Sequence, residues 1–220
     1  MSAAFPVPDY SGVGREQFQD LIRFKMSPDD FKYVMQAYRF AKTGHYGQER
    51  DNGGRYFEHP KRVALILMLE FGVYDPEVSE AALQHDIKED VPRLFGVEDA
   101  RENIEMVFKS RRVAEYIDIL SKRPCRPEEK PTRDREYFDS IANADVRVRI
   151  IKMADRLDNL RDIHDCDAGK QVRYRKETEE EVLPIVRELL AAREIPEDIR
   201  NRLCYAYHEM VYICDSLPTK

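Results

Sequence analysis

The stretch 146–161, VRVRIIKMADRLDNLR, decides the fold class. Its first four residues, Val146, Arg147, Val148 and Arg149, alternate apolar and charged as a half-buried strand would. The alternation then stops. Ile150, Ile151, Met153, Ala154, Leu157 and Leu160 recur at helical spacing, over a length that exceeds an ordinary strand. A helix over 143–161 is therefore predicted, and the best candidate for a strand disappears with it.

Outward from this segment the same period recurs. Ser27-Pro28-Asp29-Asp30 combines an N-cap, a proline at the first helical position and acidic first-turn residues. Phe31, Val34, Met35, Tyr38 and Ala41 then form one apolar stripe. Further helices are predicted at about 60–72, 76–89, 98–108, 111–121, 132–142, 171–192 and 196–215. Breaks fall at Gly44 to Arg55, Val91 to Gly96 and Arg123 to Pro131, and none resembles a domain linker. The expectation is a single all-α bundle over 15–220. The first 14 residues, with Pro6, Pro8, Gly12 and Gly14, are expected as an extended, weakly ordered arm. The acidic run Glu177 to Glu181 reads as a solvated helix face.

Composition narrows the function classes. The 220 residues are 42% hydrophobic and 35% charged with nine glycines, which suits an ordinary globular protein. A net charge of −6 disfavours a nucleic-acid polymer or an anionic membrane as partner. Cys125, Cys166, Cys204 and Cys214 lack the close pairing of a zinc knuckle or redox dithiol, so free thiols in a reducing compartment are expected. The start has neither a basic n-region nor an apolar h-region, and the longest apolar run, Val63 to Leu69, cannot span a bilayer. A soluble cytoplasmic protein is the expectation.

The chemistry centres on His85-Asp86, followed one turn later by Glu89-Asp90. On a continuous helix these four side chains share an arc of about 140° with Val78, Ala81 and Ala82, so all four would face the core. Buried carboxylates lose hydration without replacement unless a cation compensates them. The chain supplies complementary ligands elsewhere: His59, ahead of Pro60 at a helix start, and Asp155, at the edge of the apolar arc of 143–161. Two imidazoles and two carboxylates suit Mn²⁺, Fe²⁺, Zn²⁺ or, less well, Mg²⁺. The competing reading makes His85-Asp86 a helix-terminal charge pair and Asp155 a surface partner of Lys152 or Arg156.

These residues resemble the hydrolase domain of the RelA/SpoT alarmone enzymes, within the HD phosphohydrolase superfamily. The family segment H-x-G-Q-x-R-x-S-G-x-P-Y-x-x-H-P is similar to residues 45–60, HYGQERDNGGRYFEHP, with departures at Asn52 and Arg55. The block A-A-L-x-H-D-x-x-E-D is matched by 81–90, I-K-x-A-D-R-L-x-N-x-R by 151–161, and a later E-T…P pattern by Glu177, Thr178 and Pro184. The resemblance spans roughly residues 31–190. The sequence stops about 30 residues past the last block, and Asp162 follows Arg161. Both features are closer to the small, hydrolase-only members.

The resemblance implies an HD-type helical bundle holding one divalent metal, with Mn²⁺ the expected ion, on His59, His85, Asp86 and Asp155. It implies Glu89 and Asp90 as the acid-base pair. Arg50, Tyr56, Asn159 and Thr178 are the implied contacts to a small nucleotide. The implied reaction removes the 3′-diphosphate from guanosine 3′,5′-bis(diphosphate) or a relative, giving GDP or GTP and pyrophosphate. Two departures keep another HD-type phosphohydrolase, acting on an adenine alarmone or other nucleotide, as the alternative. Asp51 stands where many relatives are basic. Asp158 replaces the usual His or Tyr on the apolar arc and requires a partner, Arg161 or a base from another helix. A regulatory module that binds without turnover is a further alternative, opposed by the retention of every ligand and of Glu89 and Asp90.

Overall fold

The computed structural model describes residues 6–51, 53–91 and 110–219. The predicted helix at 98–108 and nearly all of the break at Val91 to Gly96 lie outside them. The described chain forms α1 (Arg15–Ile22), α2 (Pro28–Gly44), α3 (Glu58–Leu65), α4 (Pro76–Gln84), α5 (Ile87–Asp90), α6 (Arg111–Leu120), α7 (Lys130–Ala142), α8 (Val146–Arg161), α9 (Ala168–Glu177), α10 (Leu183–Ala191) and α11 (Glu197–Ser216). The all-α expectation holds. Among the described residues the extended pairing is limited to one isolated bridge between Glu49 and Arg55.

The segment that decides the class is also the centre of the bundle. As α8 it packs against α3, α4, α6, α7, α10 and α11. Asp145 caps it by accepting the Arg147 amide, and Val148, Ile151, Met153, Ala154, Leu157 and Leu160 are fully buried. Each large side chain buried in this way contributes about 1.5–3 kcal/mol, which a solvated two-stranded alternative could not match. At its start Arg147 Nε donates to Asp75 Oδ2 at 2.8 Å, while Asp75 Oδ1 caps α4 through the Glu77 amide at 2.9 Å. One carboxylate thus ties together the first turns of α4 and α8, the helix that leads to His85-Asp86 and the helix that carries Asp155.

Three predicted helices are interrupted. The one at 60–72 begins at Glu58 and widens into a π turn over Ile66–Glu70. The one at 171–192 begins at Ala168 and carries a π turn over Thr178–Val182, ahead of Pro184. Proline at that position lacks the amide an α-helix would use. The third, predicted at 76–89, stops at Gln84, and α5 restarts after Asp86.

The amino-terminal segment adds a helix ahead of the first predicted one. Arg15–Ile22 is helical, with Phe18 and Ile22 in the core. Within the described part of the arm, Tyr10 is buried and donates to Glu70 Oε1, and the Val13 carbonyl accepts from Lys61. Through these two contacts the described part of the arm meets the Glu58–Glu70 segment.

Glu80 makes stability fall with pH. It is 5% exposed on α4, and burial, reinforced by Glu77 and Asp30, pushes its carboxyl up from 4.5 to about 8. The folded state therefore binds one more proton than the unfolded state between those values. The contribution is fully present below about pH 4.5 and is lost as pH rises through about 8. Urea unfolding of wild type and Glu80→Gln at pH 5.5 and 9 should show a difference between them that changes by about 2–4 kcal/mol, the variant gaining at pH 9. Parallel pH profiles would refute this.

Candidate metal centre and its cavity

Four side chains converge from separate elements. His59 lies in the first turn of α3, His85 and Asp86 occupy the break between α4 and α5, and Asp155 lies on α8. His59 Nε2 is 3.2 Å from Asp155 Oδ1 and 3.5 Å from Asp86 Oδ2. His85 Nε2 is 3.3 Å from Asp86 Oδ1 and 3.6 Å from Asp155 Oδ1. Ligand atoms of His59, His85 and Asp86 all lie within 4.8 Å of one another. Separations of this size suit atoms that share one ion at about 2.0–2.2 Å.

The donor set fits a divalent cation on a further ground. His85 Nδ1 contacts the Ala82 carbonyl at 2.8 Å, where it donates its proton. That leaves a buried Nε2 with no hydrogen-bond partner, facing two carboxylates. Burial by itself would lower the His85 pKa, but Asp86 and Asp155 raise it to about 9. His59 is also shifted upward against its burial, by Asp155, Asp158 and Asp86. The carboxylates thus hold protons on the imidazoles at the place where a cation would sit. Asp155 is held well below the usual carboxylate range despite its burial, through Lys152 Nζ at 2.8 Å and the two imidazoles. The expected surface pairing of Asp155 is instead a buried one.

The interruption after Gln84 changes the reading of His85-Asp86-x-x-Glu89-Asp90. On a continuous helix all four would point into the core. His85 does so, but Asp86 is half-buried and Glu89 and Asp90 are exposed. They line an open cavity of about 300 Å³ that also contains His59, His85, Asp86 and Asp155. Crowding by its walls still raises both carboxyls, with the charge on Asp86 adding to the effect. Glu89 Oε1 accepts the Lys122 amide, and Gln48 Nε2 donates to the Asp90 carbonyl at 3.0 Å.

The first motif block supplies a loop over this cavity. Gly47 and Gly53 both have φ of 76°, a backbone region that side chains disfavour. Between them the chain turns back, with the Gly53 amide on the Arg50 carbonyl and the Tyr56 amide on the Gln48 carbonyl. Arg50 Nη2 then reaches Asn159 Oδ1 at 2.8 Å, and Asn159 Nδ2 donates to Asp155 Oδ1 at 2.7 Å. Tyr56 donates to Asp86 Oδ2 at 2.9 Å. Arg50, Tyr56 and Asn159 all line the cavity, and two of them also restrain a metal ligand.

Thr178 does not fit its expected role. It is fully buried in the π turn, outside the cavity lining, donating to the Tyr174 carbonyl and accepting from Arg156. Arg156 lines the cavity and pairs with Glu177, so Thr178 supports a cavity residue instead of meeting a ligand. Glu177 in turn is not on a solvated face.

Sequence reasoning assigned no role to Lys122, Tyr137, Lys152, Arg156, Lys170 or Tyr174, which also line the cavity. Lys152 and Arg156 carried a signal, standing three residues before and one after Asp155. Lys122 and Lys170 carried none, because only tertiary folding brings their segments to the site. Asp51 is paired with Lys170 at the cavity rim, at 2.5 Å. The lining holds eight carboxylates against five Lys and Arg side chains. A divalent cation would offset two of the three excess negative charges and so reduce the repulsion that an anionic ligand meets there. All four cysteines are free, and among the described residues no helix is long and apolar enough to cross a membrane.

Residues 37–185 match the family model of the HD domain. The chain is 34% identical over 178 residues to the bifunctional (p)ppGpp synthase/hydrolase SpoT of Escherichia coli, covering 79% of this chain and 24% of that protein. It is 32% identical over 135 residues to the guanosine-3′,5′-bis(diphosphate) 3′-pyrophosphohydrolase MESH1 of Danio rerio, covering 60% of this chain and 70% of that one. The solved structure of a metazoan SpoT ortholog that hydrolyses ppGpp shares the fold, with a TM-score of 0.62 at 24% identity, covering 80% of this chain and 94% of that one. The chain thus spans about a quarter of the length of SpoT. With the HD-domain model matched over most of its length, and a relative of 32% identity covered over 70% of its own, the chain belongs to the HD-domain family, and the relatives it matches include proteins named guanosine-3′,5′-bis(diphosphate) 3′-pyrophosphohydrolase.

Proposed function

We propose that this chain is a cytoplasmic, Mn²⁺-dependent enzyme that hydrolyses guanosine 3′,5′-bis(diphosphate) at its 3′-diphosphate, giving GDP and pyrophosphate, or GTP from the pentaphosphate. The observation that carries the reading is one cavity containing His59, His85, Asp86 and Asp155, the carboxyls of Glu89 and Asp90, and five cationic side chains. A bound divalent ion would supply an acidified water and positive charge against the phosphate oxygens.

The chain's own residues supply the remaining steps. Glu89, whose carboxyl is raised and whose Oε1 is held by the Lys122 amide, takes the proton of the attacking water. The water oxygen bonds to the phosphorus carried on the ribose 3′-oxygen, and the bond between them breaks. Asp90, also raised, returns a proton to that oxygen. Arg50, Lys122, Lys152 and Arg156 hold the phosphates. Asn159 and Arg50, already hydrogen-bonded to each other, are placed to orient the nucleoside.

The test is a Mn²⁺-supplemented panel of guanosine and adenosine alarmones and ordinary nucleotides, with pyrophosphate and orthophosphate measured separately. Stoichiometric pyrophosphate from the guanosine compounds is expected. Orthophosphate alone would exclude pyrophosphohydrolysis, and turnover confined to adenine compounds would move the substrate assignment.

A further inference from the structure

Asp158 is the departure from the family pattern that demanded a partner, and it has two. It is 2% exposed, and its Oδ2 lies 2.6 Å from His59 Nδ1. Arg62 grips it with two hydrogen bonds, Nε to Oδ1 at 2.6 Å and Nη2 to Oδ2 at 2.9 Å. Arg161, the other candidate, is engaged elsewhere by Glu70 and Glu209. Other charged groups near this carboxylate are Asp162, which Arg62 also holds and which has Arg50 Nε at 3.8 Å, and Asp9, Glu58 and Arg161, which line a cavity with it.

Hydrogen bonding at one imidazole nitrogen dictates what the other can do. A carboxylate at Nδ1 fixes the proton there, orients the ring and leaves the Nε2 lone pair for a cation. His59 Nε2 is the nitrogen that faces Asp155 and Asp86. His85 achieves the same tautomer with a neutral carbonyl, that of Ala82. The two imidazoles therefore differ in basicity through their outer partners, His59 being the one backed by full negative charge. Arg62 completes the arrangement. Its fork uses both oxygens of Asp158, so the carboxylate is held on Nδ1.

We propose that Asp158 is a positioning residue for the metal centre, which with Arg62 fixes His59 as an Nε2 ligand and tightens binding of the divalent ion. The inference rests on the metal centre described above but not on the identity of the nucleotide.

Chelator competition with Mn²⁺ alone, on wild type, Asp158→Asn and Glu209→Gln, tests it. The amide introduced by D158N could still accept from Nδ1–H but would carry no charge. The Mn²⁺ Kd of D158N should rise about 10–100-fold, with kcat largely recovered at saturating Mn²⁺. E209Q disrupts a comparable buried ion pair in which none of the proposed ligands takes part, and should lower Tm while leaving the Kd unchanged. A D158N Kd within twofold of wild type, with only Tm reduced, would make Asp158 a structural ion-pair partner and overturn the proposal. Wild type that binds no Mn²⁺ would instead remove the metal reading itself. If D158N does not fold, long-range ¹H–¹⁵N spectra of Zn²⁺-loaded wild type decide: His59 should be protonated at Nδ1 with a downfield proton, and metal on Nδ1 refutes the assignment.

Discussion

Asp86→Asn should abolish turnover and metal binding together. Asp86 offers Oδ1 to the His85 side of the centre and Oδ2 to the His59 side, at 3.3 and 3.5 Å. Asparagine keeps the size and can still accept from Tyr56, whose hydroxyl donates to Oδ2 at 2.9 Å. What disappears is one of the carboxylate charges that offset the ion. The Mn²⁺ Kd should rise by more than about 100-fold, beyond the loss caused by an altered outer partner. In wild type, saturating Mn²⁺ should raise Tm, because an ion that binds only the folded chain stabilises it by mass action. In D86N that rise should vanish. Metal analysis and calorimetry provide the check. A variant that retains stoichiometric Mn²⁺ would show that Asp86 is not a ligand.

Glu89→Gln should separate the two effects. Glu89 points into the cavity without approaching either imidazole as a partner, and its Oε1 is held by the Lys122 amide. Glutamine can keep that hydrogen bond through its carbonyl oxygen but cannot take a proton. kcat should fall about 10²–10⁴-fold, the usual range for removing a positioned acid or base. The Mn²⁺ Kd, the Mn²⁺-induced rise in Tm and KM should change little. Loss of metal alongside activity would place Glu89 among the ligands and leave the proton transfer to Asp90 or to water. Together the two variants distinguish a group that holds the ion from one that moves a proton.

The helices were readable because their signals are local. Ser27-Pro28, Asp75-Pro76 and Asp145 each satisfy orphan amides within three residues of themselves, and apolar periodicity marks which face turns inward. The same locality made His85-Asp86 and the acidic pair after it readable as a charge problem that a cation would solve, while the full candidate set with His59 and Asp155 rested on resemblance to the HD family. The interruptions were less readable. A break after Gln84 or a π turn over Thr178–Val182 depends on what packs against the helix, so a continuous wheel wrongly sent Glu89 and Asp90 into the core, and the resemblance gave no sign that Thr178 is buried in a π turn.

An all-helical chain with an HD-type ligand set follows from the order of the residues. How those ligands are tuned does not, because it depends on which helices meet. Asp158 meets His59 across 99 positions and Arg62 across 96, and Arg50 meets Asn159 across 109. No local rule encodes such pairings. They exist because α3 and α8 bury against each other, and a charge buried there must find its complement wherever the fold delivers it.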